Sequence, residues 1–402
     1  MPVEFHDITA VASEIGPRPA GSPAELEAAR YASRRLTESG VPNTQIPVTI
    51  TRNHPGVMPL LLLLAAVAVP LMRLSHPAGL ILSIIALLLL VFEAGERPLI
   101  SSRLPARSST NVVGLLPAGR SLLAENASEE PIGRVIVSAH LDSGKASWRW
   151  QHRIVDFLPQ LIAALAVALL AIPALQIAQI VTGNFAFWYV SLVPMVATLI
   201  VIAFVVQDEF FGTAVNGAIG SASGMAVALD VAQQLAAVRL SHLETWFVFT
   251  GGYEAGHTGM HQFLHENRLD PERTSFIVID AVGAGYLRYT RAEGLIVPRN
   301  AASNLIRIAR ETARDNPVWN LRPVSLRSVP TDLYSISAKG YQGISLFAAA
   351  GDGYPPHWHR PEDTAENVHQ ETLEIASQAV LTMIRRLDEQ ANPEPEAPSA
   401  PN

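Results

Sequence analysis

Four short stretches of this chain carry residues that can do chemistry together: His140-Leu141-Asp142, Tyr253-Glu254, Asp280, and the run through His357-Trp358-His359. Imidazole and carboxylate side chains in one set suit Zn²⁺. Asp142, two residues after His140, is placed to orient that imidazole as an acceptor. Other reactive groups are poor candidates. The chain has no cysteine, so a thiol nucleophile, a Cys-ligated metal and a disulfide framework are excluded. The run Gly220-Ser221-Ala222-Ser223-Gly224 carries Ala222 where a nucleophile elbow needs serine. Ser223 reads instead as the N-cap of the next helix. His257, His261 and His357 read as surface or loop residues, because no partner spacing selects them.

The elements that must position these residues are legible as alternating strands and helices. Strand-like runs cover Arg134–Ser138, Thr245–Thr250, Ser275–Asp280 and Gly343–Phe347. Helical patterns cover Ser223–Val238, Gly256–Asn267, Asn300–Asp315 and Glu366–Glu389. Alternation of this kind predicts an α/β fold: a mostly parallel sheet with helices on both faces. In such sheets ligand groups gather beyond the strand ends. His140, Tyr253-Glu254, Asp280 and His359 each follow a strand. Near the start, Ser22-Pro23-Ala24-Glu25 is a capping box that opens a helix closed by Gly40.

The composition is 49% hydrophobic and 16% charged over 402 residues, against about 25% charge in ordinary soluble domains. The surplus lies in two blocks, 57–92 and 157–206, each reading as a helical hairpin long enough to cross a bilayer. The α/β domain then occupies 1–56, 93–156 and 207–390, and 391–402 is a Pro-rich disordered tail. No ionisable residue lies deep in a span, which argues against a transporter. Trp188 and Tyr189 read as interfacial aromatics. Arg52, Arg97, Arg103, Arg107, Lys145, Arg149 and Arg153 flank the blocks, whereas the far turns hold only Arg73. The positive-inside rule places the soluble domain in the cytoplasm of a multi-pass membrane protein. The partners expected are the lipid bilayer and a peptide or protein ligand. A net charge of −7, from 29 basic and 36 acidic residues, gives no electrostatic reason to bind nucleic acid.

In that order the motifs resemble the zinc aminopeptidase family, which includes bacterial leucyl aminopeptidases and the transferrin-receptor ectodomain. The resemblance rests on Gly16-Pro17-Arg18-Pro19-Ala20-Gly21-Ser22, Asn111-Val112-Val113-Gly114, His140-Leu141-Asp142-Ser143, Gly217–Gly224, Tyr253-Glu254-Ala255-Gly256, Asp280 and His359-Arg360-Pro361-Glu362-Asp363-Thr364. It implies a metal pair in which His140 and Asp280 hold one ion and Glu254 and His359 the other. It also implies a carboxylate bridging both ions and a glutamate that takes the proton from water.

Both of those acids are missing. Gly220 stands at the bridging position and Tyr253 at the general-base position. Each ion would keep two protein ligands where catalytic zinc has three. A phenol with an ordinary pKa of about 10 is a poor base near neutrality. The expectation is one zinc or none, and weak or absent peptidase activity: a pseudoenzyme. The alternative is an active exopeptidase with a single central metal on His140, Glu254, Asp280 and His359, or one rescued by Asp208 or Glu209.

Overall fold

The computed structural model describes residues 5–95, 98–119, 132–294, 297–326, 329–351 and 353–391. Arg97, the side chain of Arg153 and tail residues 392–402 lie outside them. The chain divides into two compact units: Met1–Val48, Ser108–Gly144 and Ala214–Asn402 in one, Thr49–Arg107 and Lys145–Thr213 in the other.

The first unit is built on a central sheet. Its strands are β1 (Asn43–Ile50), β2 (Arg107–Leu116), β3 (Gly133–His140), β6 (Leu243–Thr250), β7 (Thr274–Ile279), β8 (Tyr286–Glu293), β9 (Arg299–Asn300), β10 (Arg322–Leu326) and β11 (Gln342–Ala349). The short β4 (Lys145–Ala146) and β5 (Thr213–Ala214) pair separately. The spatial order is β1-β2-β6-β3-β7-β11-β8-β10, with β9 beside β8. The middle strands β6, β3, β7 and β11 run parallel, as the sequence predicts. They are apolar and buried along most of their length, as strands covered on both faces must be. The flanks differ from the expectation. β2 is antiparallel to β6, and β8 is antiparallel to β11, so the sheet is mixed. β8 escapes the sequence reading because Tyr-Leu-Arg-Tyr-Thr-Arg-Ala-Glu mixes charge into a strand near the sheet's edge.

Local rules set most helix limits. Pro23–Glu38 starts with Ser22 Oγ accepting from Glu25 N at 3.2 Å, the N-cap half of the predicted box. The reciprocal half is altered. Glu25 accepts from Gly21 N at 2.7 Å and from Gly252 N at 2.6 Å, so its carboxylate braces the loop after β6. Ser223 is not an N-cap. A wide turn, Ala218–Ala222, precedes the Ser223–Ala237 helix, and the Ser223 hydroxyl donates back to Ile219 O and Gly220 O while accepting from Val282 N. The expected Gly256–Asn267 helix begins at Thr258, because residues 253–257 form a turn. Glu366 sits in a short 3₁₀ turn, and the last helix runs Gln370–Ala391, taking in Ala391 from the supposed tail.

The second unit holds the helices Val57–Leu74, His76–Glu93, Leu158–Thr182 and Ala186–Val206, all long and apolar enough to cross a membrane. Their few polar side chains are satisfied internally. Gln176 accepts from Ser83 Oγ at 2.7 Å and donates to Ala68 O at 3.0 Å. Trp188 donates to Val69 O at 3.1 Å and carries Arg73 over its ring. Asp208 pairs with Arg149 at 3.2 Å and Glu209 accepts from Gly56 N at 2.8 Å. Both acids considered for rescue of the metal set are thus engaged inside this unit.

Candidate active site

Four neighbouring parallel strands deliver the chemistry. His140 is the last residue of β3, and Asp280 follows β7 with its N–H on Leu346 O at 3.0 Å. Tyr253 and Glu254 lie in the loop after β6, and His359 in the loop after β11. The predicted site residues therefore gather at one sheet edge.

They gather as two pairs. His140 Nε2 lies 3.5 Å from Asp280 Oδ1, and His359 Nε2 lies 3.3 Å from Glu254 Oε1. Two ligands at about 2.0–2.1 Å from one tetrahedral zinc stand roughly 3.3–3.4 Å apart, so each pair has the spacing of two ligands on one ion. His140 Nδ1, His140 Nε2 and Asp280 Oδ1 are buried without a hydrogen bond, as metal-facing atoms often are before an ion arrives. The match stops there. Among the described residues no three His, Asp or Glu side chains form a group that could hold a metal ion. The four candidates thus stand as two pairs and do not form one preformed group among the described residues.

The residues at the two substituted positions show why. Tyr253 stacks on His140 with ring centroids 3.9 Å apart, and its hydroxyl donates to Asp280 Oδ2 at 2.6 Å. The phenol thus occupies one oxygen of a metal-ligand candidate. Burial, then the Asp280 carboxylate, hold the Tyr253 proton far more tightly than usual, so this phenol cannot act as a base near neutrality. Burial alone would discharge His140, but the carboxylates of Asp142 and Asp280 outweigh it and raise its pKa well above the ordinary value. A Cβ built on Gly220 would lie 3.3 Å from Trp358 Cδ1 and 3.5 Å from Asp363 Oδ2. The indole therefore lies over Gly220. Asp363 does not supply the carboxylate expected there, because its other oxygen accepts from Ile219 N at 2.6 Å.

Asp142 has a different main role from the one expected. Its contact with His140 Nδ1 is long, at 3.6 Å. Its two oxygens accept from Tyr253 N at 3.1 Å and Glu254 N at 2.8 Å, fixing the backbone that carries both residues. Glu254 is no helix-start carboxylate, since the helix opens only at Thr258. Gly144 completes the support. A Cβ there would fall 2.0 Å from His359 Cε1, so only glycine lets that imidazole lie against the loop.

The supporting roles of three residues escaped the sequence reading. Arg18, fully buried, donates to Leu141 O, Val11 O, Asn216 O and Ser221 Oγ and so ties three loops beneath the site. Burial lowers its pKa to about 10, against the pull of Asp363, Asp142 and Glu25. Glu25 is pushed up to about 7 by burial and by Asp142. Asp332 holds His257, discussed below. Arg18 was visible as part of the Gly16–Ser22 motif. Nothing local in the sequence marks Asp332.

Residues 201–384 match the family model described as Peptidase family M28; the match begins after His140 and includes the other three ligand candidates. No curated relative matches by sequence. Among solved structures the fold is similar to a zinc aminopeptidase from Bacillus subtilis, with a TM-score of 0.58, 13% identity, and 96% of this chain and 94% of that one covered. It is also similar to a Zn-dependent exopeptidase from Parabacteroides distasonis, with a TM-score of 0.54, 15% identity, and 96% and 99% covered. A glutaminyl cyclase from Tannerella forsythia matches at a TM-score of 0.55, 15% identity, and 96% and 99% covered. Residues 201–384 thus match the Peptidase family M28 model, and the fold is similar to that of zinc aminopeptidases.

Proposed function

We propose that the chain is a membrane-anchored protein that uses the aminopeptidase fold to bind a peptide or protein segment and does not hydrolyse peptides by zinc chemistry. The observation that carries this reading is the 2.6 Å hydrogen bond from the Tyr253 hydroxyl to Asp280 at the position of the general base. The reaction needs a third ligand per ion and a carboxylate to accept the proton of water. Gly220 supplies no ligand, and a side chain there would press on Trp358. The length and apolarity of the four helices support a role as the anchor, and the excess of basic residues in their flanks supports a cytoplasmic side for the aminopeptidase-like unit.

The test is hydrolysis of aminoacyl-coumarin substrates by detergent-purified protein with added Zn²⁺ or Co²⁺. The reading expects no turnover above a H140A/H359A control. Clear turnover above that control overturns it. One observation favours the second reading, a weak exopeptidase with an incomplete metal set: both residue pairs keep the ligand spacing of one zinc. That reading expects metal-dependent turnover which the control abolishes.

A further inference from the structure

The site loop carries a pair of groups that the metal set does not use. His257 Nδ1 lies 3.0 Å from Asp332 Oδ1, and Asp332 Oδ2 accepts from Thr250 Oγ1 at 2.9 Å. Asp332 is buried. It follows Thr331, whose N–H and hydroxyl donate to the buried Glu293, so the backbone that carries Asp332 is anchored. His257 adopts a left-handed backbone, φ 55°, with its N–H on Tyr253 O at 2.8 Å. A non-glycine residue in that region is strained, and such strain clusters at functional positions. Its ring packs edge-on against Tyr253, centroids 4.5 Å apart, and its side chain is 16% exposed. Where Nδ1 donates to Asp332, the neutral ring carries its lone pair on Nε2, and no described residue bonds to that nitrogen. An imidazole oriented by a buried carboxylate, with its other nitrogen open, is the arrangement that makes histidine an effective nucleophile or base.

We propose that His257, oriented by Asp332, is a metal-independent acyl-accepting nucleophile for activated esters. This rests on the reading that the site runs no zinc chemistry. Without an ion to polarise an amide carbonyl, the acyl donor must have a good leaving group. Nε2 attacks the acyl carbon, the N–C bond forms, the ester C–O bond breaks, and the aryloxide leaves with its electron pair. The acylimidazolium keeps its Nδ1 proton on Asp332, whose charge offsets that of the ring. Water then adds to the acyl carbon, the C–N bond breaks, and neutral imidazole, carboxylate and two protons result. The sum is ester plus water giving carboxylate and phenolate with two protons released.

The experiment follows p-nitrophenolate release from p-nitrophenyl acetate by the full chain in detergent with EDTA. Metal-dependent aminoacyl-coumarin turnover is measured on the same sample, so failure of the zinc-free reading shows up separately. The H257Q variant keeps a hydrogen-bond donor for Asp332 and therefore the strut between its two helices. The expected result is saturable ester cleavage in wild type, its loss in H257Q at an unchanged melting temperature, and a fall of about tenfold or more in D332N, where the ring loses its counter-charge. Wild-type-like cleavage by folded H257Q overturns the proposal, as does the absence of saturable cleavage in wild type. If H257Q does not fold, peptide mapping of wild type stopped during reaction with p-nitrophenyl pivalate decides the matter. An acyl group on His257 supports the assignment, and an acyl group only elsewhere, or none, refutes it.

Discussion

Replacing Tyr253 by phenylalanine isolates the interaction on which the reading of the site depends. The substitution keeps the ring stacked on His140 and removes only the hydroxyl that donates to Asp280 at 2.6 Å. Asp280 is 3% exposed, and its other oxygen, 3.5 Å from His140 Nε2, has no hydrogen bond. Its carboxylate would be left with a long contact to one imidazole. The hydroxyl's second approach, to Pro330 O at 3.4 Å, is too long to offset much. Hydrogen bonds to a charged group contribute about 1.5–3 kcal/mol, and leaving the partner buried and unsatisfied puts the loss near the upper half of that range. At about 2 °C per kcal/mol for a unit of about 270 residues, Y253F should melt about 4–6 °C below wild type. The assay is thermal unfolding in detergent at fixed pH and salt, run as a double-mutant cycle with D280N. The coupling between the two sites should be about 1–3 kcal/mol. A variant as stable as wild type, or a coupling near zero, would show that the phenol does not engage Asp280 and that the base position is merely filled.

Further consequences follow from other contacts. In G144A the new methyl would lie 2.0 Å from His359 Cε1, so either the imidazole leaves Glu254 or the loop shifts; a loss of stability of about 1–3 kcal/mol is expected, and an unperturbed melt would contradict the packing. Glu293 is buried, and burial raises its pKa from 4.5 to about 7. The native state therefore holds a proton that the unfolded chain releases between those values. Its stabilising contribution is full below about pH 4.5 and is lost as pH rises through about 7, up to roughly 3 kcal/mol. E293Q, which cannot ionise, should match wild type near pH 5 and exceed it at pH 8; equal curves at both pH values would refute the assignment. The chain has no cysteine, so N184C, in the turn between the third and fourth apolar helices, gives a clean topology probe. In right-side-out cells it should react with an impermeant maleimide, and protection until lysis would reverse the orientation.

Much of the fold was legible because burial on both faces writes itself into composition. Val135–Val137 and Phe276–Ile279 are continuous apolar runs, and they lie in central parallel strands. The edges were harder. β8 carries Arg288 and Arg291 among its apolar residues, and its neighbours are fixed by pairing that no local pattern encodes. The site residues were found by motif order, and the structure brings all four metal-ligand candidates to one edge. What the motifs did not reveal is how the side chains around Gly220 and Tyr253 are arranged. The indole over Gly220 comes from a residue 138 positions away in sequence, and the phenol turned onto Asp280 depends on the loop that Asp142 and Glu25 hold. His257 looked like a loop residue because its partner, Asp332, lies 75 residues downstream. Ser223 looked like a cap because the wide turn before it leaves no signature in residue type.

The most direct test of the central claim is the zinc content of the chain purified without chelator and washed with a weak competing ligand. The account predicts less than one retained zinc per chain, unchanged by H140A or H359A. Two retained ions per chain, lost in those variants, would contradict it.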